Sequence, residues 1–202
     1  MKNLFSVIFT LTFLGCNSDF IPKPKGFPRI DLPTKKHIQY KSNCPFTFEY
    51  PSYSIVYNHK GENTMPCWLN IEFPSFKGTI HISYLPITNN ESLKSYAEDA
   101  RSLAYKHTIK AQSINESFYE NTDKKTYGTV YQITGKNTAS SIQFFLTDSS
   151  THFLRGALYF NVAPKNDSLL PVTNFIKEDI EHIISSLVWE SREYRGCPDE
   201  SN

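Results

Sequence analysis

The polar segment with the richest chemistry lies between two apolar runs, from Asp148 to Arg155. It carries a carboxylate at Asp148, three hydroxyls at 149–151, an imidazole at His152 and a guanidinium at Arg155. Asp148, a hydroxyl and His152 are the types that assemble an acid/base site. The order Asp-Ser-Ser-Thr is also typical of a hairpin turn, in which Asp and Ser bond their own backbone. We favour the turn, and predict a hairpin that offers Asp148, His152 and Arg155 to a partner.

No other segment of the sequence carries the pattern of a catalytic or cofactor-binding site. HExxH, GxSxG, GxxxxGK[ST] and GxGxxG do not occur. The six histidines are scattered and lack the spacing of metal ligands. We therefore predict no catalytic residue, no metal and no cofactor, and a protein that is not an enzyme.

Cys16 is the residue with the most specific covalent chemistry. Lys2 precedes an uncharged apolar run from Leu4 to Leu14, which is typical of a signal peptide. The run is shorter than the roughly 20 residues that span a bilayer. Residues 13–16, Phe-Leu-Gly-Cys, resemble a bacterial lipobox, although Phe13 stands where Leu is usual. We predict a signal peptide over residues 1–15 and a Cys16 that carries lipid, palmitate included; the alternative is an ordinary signal peptide followed by an unrelated cysteine.

Two further cysteines stand at matched places. Cys44 and Cys67 each open a strand-like run, whereas Cys197 lies in a polar tail. We predict a Cys44–Cys67 disulfide, which would stabilise the fold by about 3 kcal/mol in the chain-entropy model. Two buried free thiols are the alternative.

Charge and composition divide the chain. The 202 residues carry a net charge of +1, which excludes the basic footprint of a nucleic-acid-binding protein. Residues 17–43 hold four prolines and six basic against two acidic side chains. We predict a lipid-anchored, basic, proline-rich arm over 16–43, one domain over 44–190 and a polar tail over 191–202.

Hydrophobic periodicity predicts the elements of that domain. Alternating residues indicate strands over 46–50, 54–57, 67–73, 79–85, 114–120, 125–134, 140–147 and 153–162. Apolar stripes at i, i+3, i+4 and i+7 indicate helices over 93–107 and 171–189, with cap candidates at 90–92 and 166–168 and Pro171 in the first turn of the second helix. This order predicts an α+β fold, an antiparallel β-sheet flanked by two amphipathic helices, and resembles the element order of PsbP/Mog1-like domains.

A family resemblance covers nearly the whole mature chain. The segments that carry it are 22–26, 29–33, 44–51, 67–71, 76–81, 105–111, 139–148 and 153–162. In this order they resemble the gliding-motility lipoprotein GldD family. The resemblance implies a cell-envelope lipoprotein that gliding motility requires, with the type IX secretion machinery as its partner and no enzymatic activity. It transfers one functional residue, the lipidated Cys16, and implies that the stretch 22–33 docks on the domain or on a partner.

Two functional hypotheses follow. Residues 17–20 lack an Asp directly after Cys16 and lack a run of acids, so we expect the periplasmic face of the outer membrane. The first hypothesis is a non-enzymatic envelope lipoprotein that acts by protein–protein contact. The alternative is a periplasmic small-ligand or cell-wall-binding module, with a pocket lined by Tyr84, Tyr105, Phe144 and Tyr159.

Overall fold

The computed structural model describes residues 30–61, 64–106, 112–135, 140–161 and 166–191. These residues form ten strands and two α-helices. In chain order they are β1 His37–Tyr40, β2 Phe46–Pro51, β3 Ile55–Asn58, β4 Leu69–Phe73, β5 Gly78–Pro86, α1 Asn90–Tyr105, β6 Ser113–Asn121, β7 Thr126–Thr134, β8 Ser140–Thr147, β9 His152–Phe160, α2 Asn166–Ser186 and β10 Val188–Trp189. The residues outside the described ranges include the predicted signal peptide, Cys16, the predicted arm up to residue 29, His107, and the tail from residue 192 with Cys197.

The strands form two antiparallel sheets. The large sheet has the order β3-β4-β5-β9-β8-β7-β6, and the small sheet has the order β1-β2-β10. Since all pairings are antiparallel and two helices pack on the sheets, the predicted α+β class is confirmed.

One face of the large sheet packs against α2 and the small sheet. Alternate residues of β5, β8 and β9 point into this core, as do Phe46 and Phe48 of β2 and Ile176 and Ile180 of α2. Each of these side chains is at most 2% exposed, and burying such a side chain contributes about 1.5–3 kcal/mol. The core therefore joins the two sheets and the long helix into one unit.

Helix α1 covers part of the opposite face, which we call the α1 face. Ala104 is fully buried against Tyr131 and Ile133, and the Tyr96 ring packs on Phe153. The helix begins with a capping box, but its N-cap is Asn89 rather than one of the predicted residues 90–92. Asn89 Oδ1 accepts the Ser92 backbone N–H at 2.8 Å, while Ser92 Oγ accepts the Asn89 N–H. Ser92 is therefore the reciprocal partner of the cap.

The largest other differences from the sequence prediction concern helix α2 and strand β1. Helix α2 begins at Asn166, so Pro171 lies inside the helix and not in its first turn. It ends at Ser186 because Val188 and Trp189 pair with Thr47 and Phe46 of β2 as strand β10. Strand β1 lies in the stretch that the sequence assigns to the arm, and pairs with β2 from Tyr40 to His37.

The predicted disulfide is present. Cys44 precedes β2 of the small sheet and Cys67 precedes β4 of the large sheet, with their Cα atoms 5.6 Å apart. Cys67 has a left-handed φ of 63°, which turns the chain into β4. The bridge therefore ties the two sheets together at their strand starts.

Candidate contact surface

The hairpin between β8 and β9 is a turn held by one carboxylate. Asp148 Oδ1 accepts the backbone N–H groups of Ser150 at 3.0 Å and of Thr151 and His152 at 2.8 Å. Burial by itself would raise the pKa of Asp148, but these hydrogen bonds outweigh it and hold the pKa below its ordinary value. The turn interpretation of the sequence is confirmed: Asp148 Oδ1 is occupied by backbone N–H groups, and Oδ2 accepts the Ser150 hydroxyl at 2.9 Å.

His152 does not form an acid/base pair with Asp148, because its ring points into the core. Nδ1 lies 2.8 Å from the Tyr84 hydroxyl, and the ring stacks on Trp189 with centroids 5.2 Å apart. Burial lowers the pKa of His152, with the Asp148 charge opposing that shift. Only 8% of the residue is exposed, so it offers a partner little surface.

His152 gives a testable pH dependence. Its folded pKa lies below the ordinary 6.5, so the unfolded chain takes up a proton that the folded chain does not, and stability falls as pH drops below about 6.5. We expect the unfolding midpoint to fall less between about pH 7.5 and pH 5 in His152→Asn, since the amide can still bond the Tyr84 hydroxyl without titrating. His81, whose pKa is also lowered by burial and by His59, leaves a residual slope. Equal slopes in thermal melts of both proteins would contradict this assignment.

Arg155, the third residue of the predicted hairpin contact, lies away from the other two. It is on the α1 face of β9, opposite Ser83 of β5 and Phe145 of β8. Its Nη2 donates to Gln143 Oε1 at 3.2 Å. The structure therefore separates the predicted triplet into a turn carboxylate, a core imidazole and a partly buried cation.

The last part of the arm is fastened to α2 around Asp179, which is fully buried. Asp179 accepts hydrogen bonds from Lys35 Nζ at 2.7 Å and from the Tyr53 hydroxyl at 2.5 Å. Burial and the bond to Asp179 both raise the pKa of Tyr53. His37 stacks on His182 of α2 with ring centroids 3.7 Å apart. We call these five residues the arm clasp; it fixes where the arm meets the domain.

Strand β6 forms one edge of the large sheet, and this edge is exposed. Strand β6 is nine residues long and has no strand partner on its outer side among the described residues. Phe118 in its middle is 86% exposed. The opposite edge, β3, is only four residues long, which is a common protection of sheet edges. Strand β6 has no lysine or proline, and its only charged residues are Glu116 and Glu120, so most of its backbone and Phe118 are accessible to another chain.

The aromatic pocket proposed from the sequence does not form. Tyr84 and Phe144 are core residues, Tyr159 belongs to the opposite face with Thr79, and Tyr105 lies at the end of α1. A groove of about 470 Å³ lies elsewhere, between α2 and the β6–β7 pair. It is lined by Tyr119, Val130, Glu178, Glu181, His182, Ile184 and Ser185. In the part of the chain that the structure describes, no three His, Cys, Asp or Glu side chains are grouped as metal ligands.

Comparison with protein families identifies the relatives of this chain. The family model described as gliding motility lipoprotein GldD matches residues 17–189. The chain belongs to the GldD family. No curated protein matches it. The solution structure of PsbP (CyanoP) from the cyanobacterium Synechocystis is similar over 80% of this chain and 97% of its own, at 13% identity and a TM-score of 0.46.

Membership of the GldD family identifies the chain as a gliding motility lipoprotein of the cell envelope. None of the helices in the described ranges is long and apolar enough to cross a bilayer.

The sequence analysis did not select two residues that the structure places at candidate sites, Asp179 in the arm clasp and Phe118 on β6. Asp179 had a signal: it falls three residues after Ile176 and four after Phe175, on the apolar stripe of α2. Phe118 had no such signal, because the position of a strand at the edge of a sheet is set by the topology of the fold.

Proposed function

We propose that this GldD-family chain is a non-enzymatic component of the cell envelope that supports gliding motility and the type IX secretion machinery by protein contact. Its anchor would be lipid on Cys16, at the periplasmic face of the outer membrane. The family match and the lipobox-like residues 13–16 support the anchor and the process. The structural roles of Asp148 and His152 support a non-enzymatic role, because the one acid/base candidate in the sequence is used to build a turn and a core.

The observation that carries the contact is the open edge of β6. A partner that adds an extended segment there would gain backbone hydrogen bonds along nine residues and cover Phe118. The charged residues of β6 are Glu116 and Glu120 alone. Glu116 already accepts the Tyr105 hydroxyl and lies 3.7 Å from Arg101, whereas Glu120 is exposed two residues from Phe118. The occupant we propose is therefore a partner strand with an apolar residue opposite Phe118 and a basic residue opposite Glu120.

A second copy of the chain fits this edge less well. In an antiparallel β6–β6 pair centred on Phe118, Glu116 of one chain would stand opposite Glu120 of the other. Directly opposed like charges destabilise a strand pair. In a pair centred on Ser117, Phe118 would stand opposite Glu116. Both central registers are mismatched, which favours a different protein as the partner.

Phe118→Asp tests the proposal. Because the side chain is 86% exposed, we expect the free energy of unfolding to change by less than about 1 kcal/mol. We expect gliding and secretion to fall to the level of cells that lack the protein, since the contact would bury a carboxylate in place of the ring. Both are measured in cells with equal lipoprotein amounts.

Ile55→Asp is the matched control, because Ile55 is also an exposed apolar residue on an edge strand, at 55% exposure on β3. We expect it to leave gliding intact. If Phe118→Asp cells glide normally, or if both variants lose gliding equally, the β6 contact is refuted.

A specific observation also favours the alternative of a ligand-binding module. The groove of about 470 Å³ beside α2 is of the size that holds a small molecule. Glu178 and Glu181 line it, each beside a lysine (Lys35 at 3.4 Å and Lys177 at 3.6 Å), and would contact the cationic part of a ligand. Normal gliding in a Glu178→Gln, Glu181→Gln double variant would exclude this groove as a ligand-binding site that gliding requires.

A further inference from the structure

Unmet hydrogen-bonding capacity is concentrated at one place on the α1 face. Among the described residues, five buried side-chain atoms have no hydrogen-bond partner. Three of these lie on two paired strands: Ser141 Oγ and Gln143 Nε2, two residues apart on β8, and Arg155 Nε of β9, whose guanidinium bonds the Gln143 amide. Gln143 is only 2% exposed, so in this conformation its amide nitrogen has neither a protein partner nor contact with bulk water. We call these three residues the β8–β9 donor cluster.

The hydrogen bond between Arg155 and Gln143 defines the chemistry of the cluster. A guanidinium can only donate, so the bond from Arg155 Nη2 fixes the oxygen of Gln143 toward the arginine. The amide nitrogen of Gln143 is then left as a donor, as is Arg155 Nε. With the Ser141 hydroxyl, the cluster presents N–H and O–H groups and a positive charge.

No described carboxylate forms an ion pair with Arg155. Burial lowers the pKa of Arg155, while the charges of Tyr159 and of Asp99 on α1 act in the opposite direction. Asp99 is exposed and forms no direct contact of salt-bridge length with it. The cluster is therefore a partly buried cation without an anionic partner in the described part of the chain.

Leaving such groups unsatisfied is costly. A buried donor without a partner costs about 1–3 kcal/mol, and native proteins keep few of them. The strand register also shifts between Ser140 and Ile142, opposite Tyr159 and Leu158, and this places Ser141 in a bulge. Bulges change the direction in which side chains point, and they are over-represented beside functional sites. An unmet donor at a bulge, with two more unmet donors on the same pair of strands, is better explained by a ligand than by chance.

We propose that Ser141, Gln143 and Arg155 bind a carboxylate group. An arginine and a carboxylate form charge-assisted hydrogen bonds, and Nε together with a neighbouring donor can meet both oxygens. The group belongs either to a small free carboxylate or to an acidic side chain of a bound protein. The inference does not depend on the β6 contact, which lies two strands away in the large sheet.

The first test uses the purified mature lipoprotein in detergent and two probes, acetate and succinate. We expect the unfolding midpoint to rise with probe concentration and to saturate, with chloride at equal ionic strength as the reference. Arg155→Lys keeps the charge but loses the planar fork, so we expect at least a tenfold weaker response. Gln143→Glu supplies a carboxylate to Arg155 from within, so we expect a higher starting midpoint and no response. Arg101→Lys, at an exposed arginine on α1, should respond like the wild type.

The second test separates the two sources of the carboxylate, using gliding of cells that carry Arg155→Glu. If neither probe binds, but Arg155→Glu stops gliding and an acid-to-lysine change in another envelope protein restores it, the carboxylate comes from a protein and the proposal holds. If neither probe binds and Arg155→Glu cells glide normally, or lose gliding without such a rescue, the proposal is overturned. These outcomes are independent of Phe118→Asp, so failure of one site does not imply failure of the other.

Discussion

Replacing Asp179 with alanine is expected to lower the free energy of unfolding by about 3 kcal/mol. The carboxylate is fully buried and is the shared acceptor of Lys35 and Tyr53. Its removal leaves the Tyr53 hydroxyl without that acceptor. It also leaves the Lys35 ammonium, whose side chain is only 25% exposed, without its closest counter-charge. Urea unfolding followed by circular dichroism measures the loss.

Glu178→Ala is the matched control for this prediction. Glu178 also lies near Lys35, at 3.4 Å, but its side chain is 65% exposed, so we expect a loss below about 1 kcal/mol. Amide hydrogen exchange adds a local readout, because Asp179→Ala should release β1 and speed exchange at Ile38 and Tyr40. A loss below about 1 kcal/mol with unchanged exchange would show that the clasp does not hold the arm.

Removing the Cys44–Cys67 disulfide is expected to cost a similar amount, about 3 kcal/mol. The bridge closes a loop with a sequence separation of 23 residues, and the chain-entropy model assigns that value to a loop of this size. We therefore expect the Cys44→Ser, Cys67→Ser double variant and the reduced wild type to unfold at the same urea concentration, which is lower than that of the oxidised wild type. Cys197→Ser should unfold with the wild type, because the sequence leaves that cysteine without a partner. A double variant as stable as the wild type would show that the two sheets do not depend on the bridge.

The strands of the domain were predictable because their side chains alternate. In β9 the core residues Leu154 and Leu158 and the α1-face residues Phe153 and Ala157 occupy alternate positions, and in β5 Ile80, Ile82 and Tyr84 do the same. Strand β1 was missed because His37–Tyr40 is only four residues long and follows a lysine-rich, proline-rich stretch. Its pairing with β2 is a tertiary contact. Strand β10 was missed because Val188 continues the apolar stripe of the helix before it.

The candidate sites were predictable only in part. The disulfide could be predicted because Cys44 and Cys67 stand at equivalent places before two strands. The turn could be predicted because an Asp followed by small polar residues bonds its own backbone. The positions of the His152 and Arg155 side chains could not be predicted, because the face to which each side chain points depends on the register of β9 against its neighbours. The open edge at β6 likewise depends on which strand is last in the sheet, which is a property of the topology.

Photo-crosslinking in living cells tests the contact most directly. A photoreactive phenylalanine analogue at position 118 keeps the size and character of the exposed ring, and the same analogue at position 55 is the control on the opposite edge. The account predicts one discrete crosslinked product at position 118 that contains a gliding or secretion component, and none at position 55. Normal gliding with no product at 118, or with the same products at both positions, would contradict the proposal that this lipoprotein acts through a protein contact at β6.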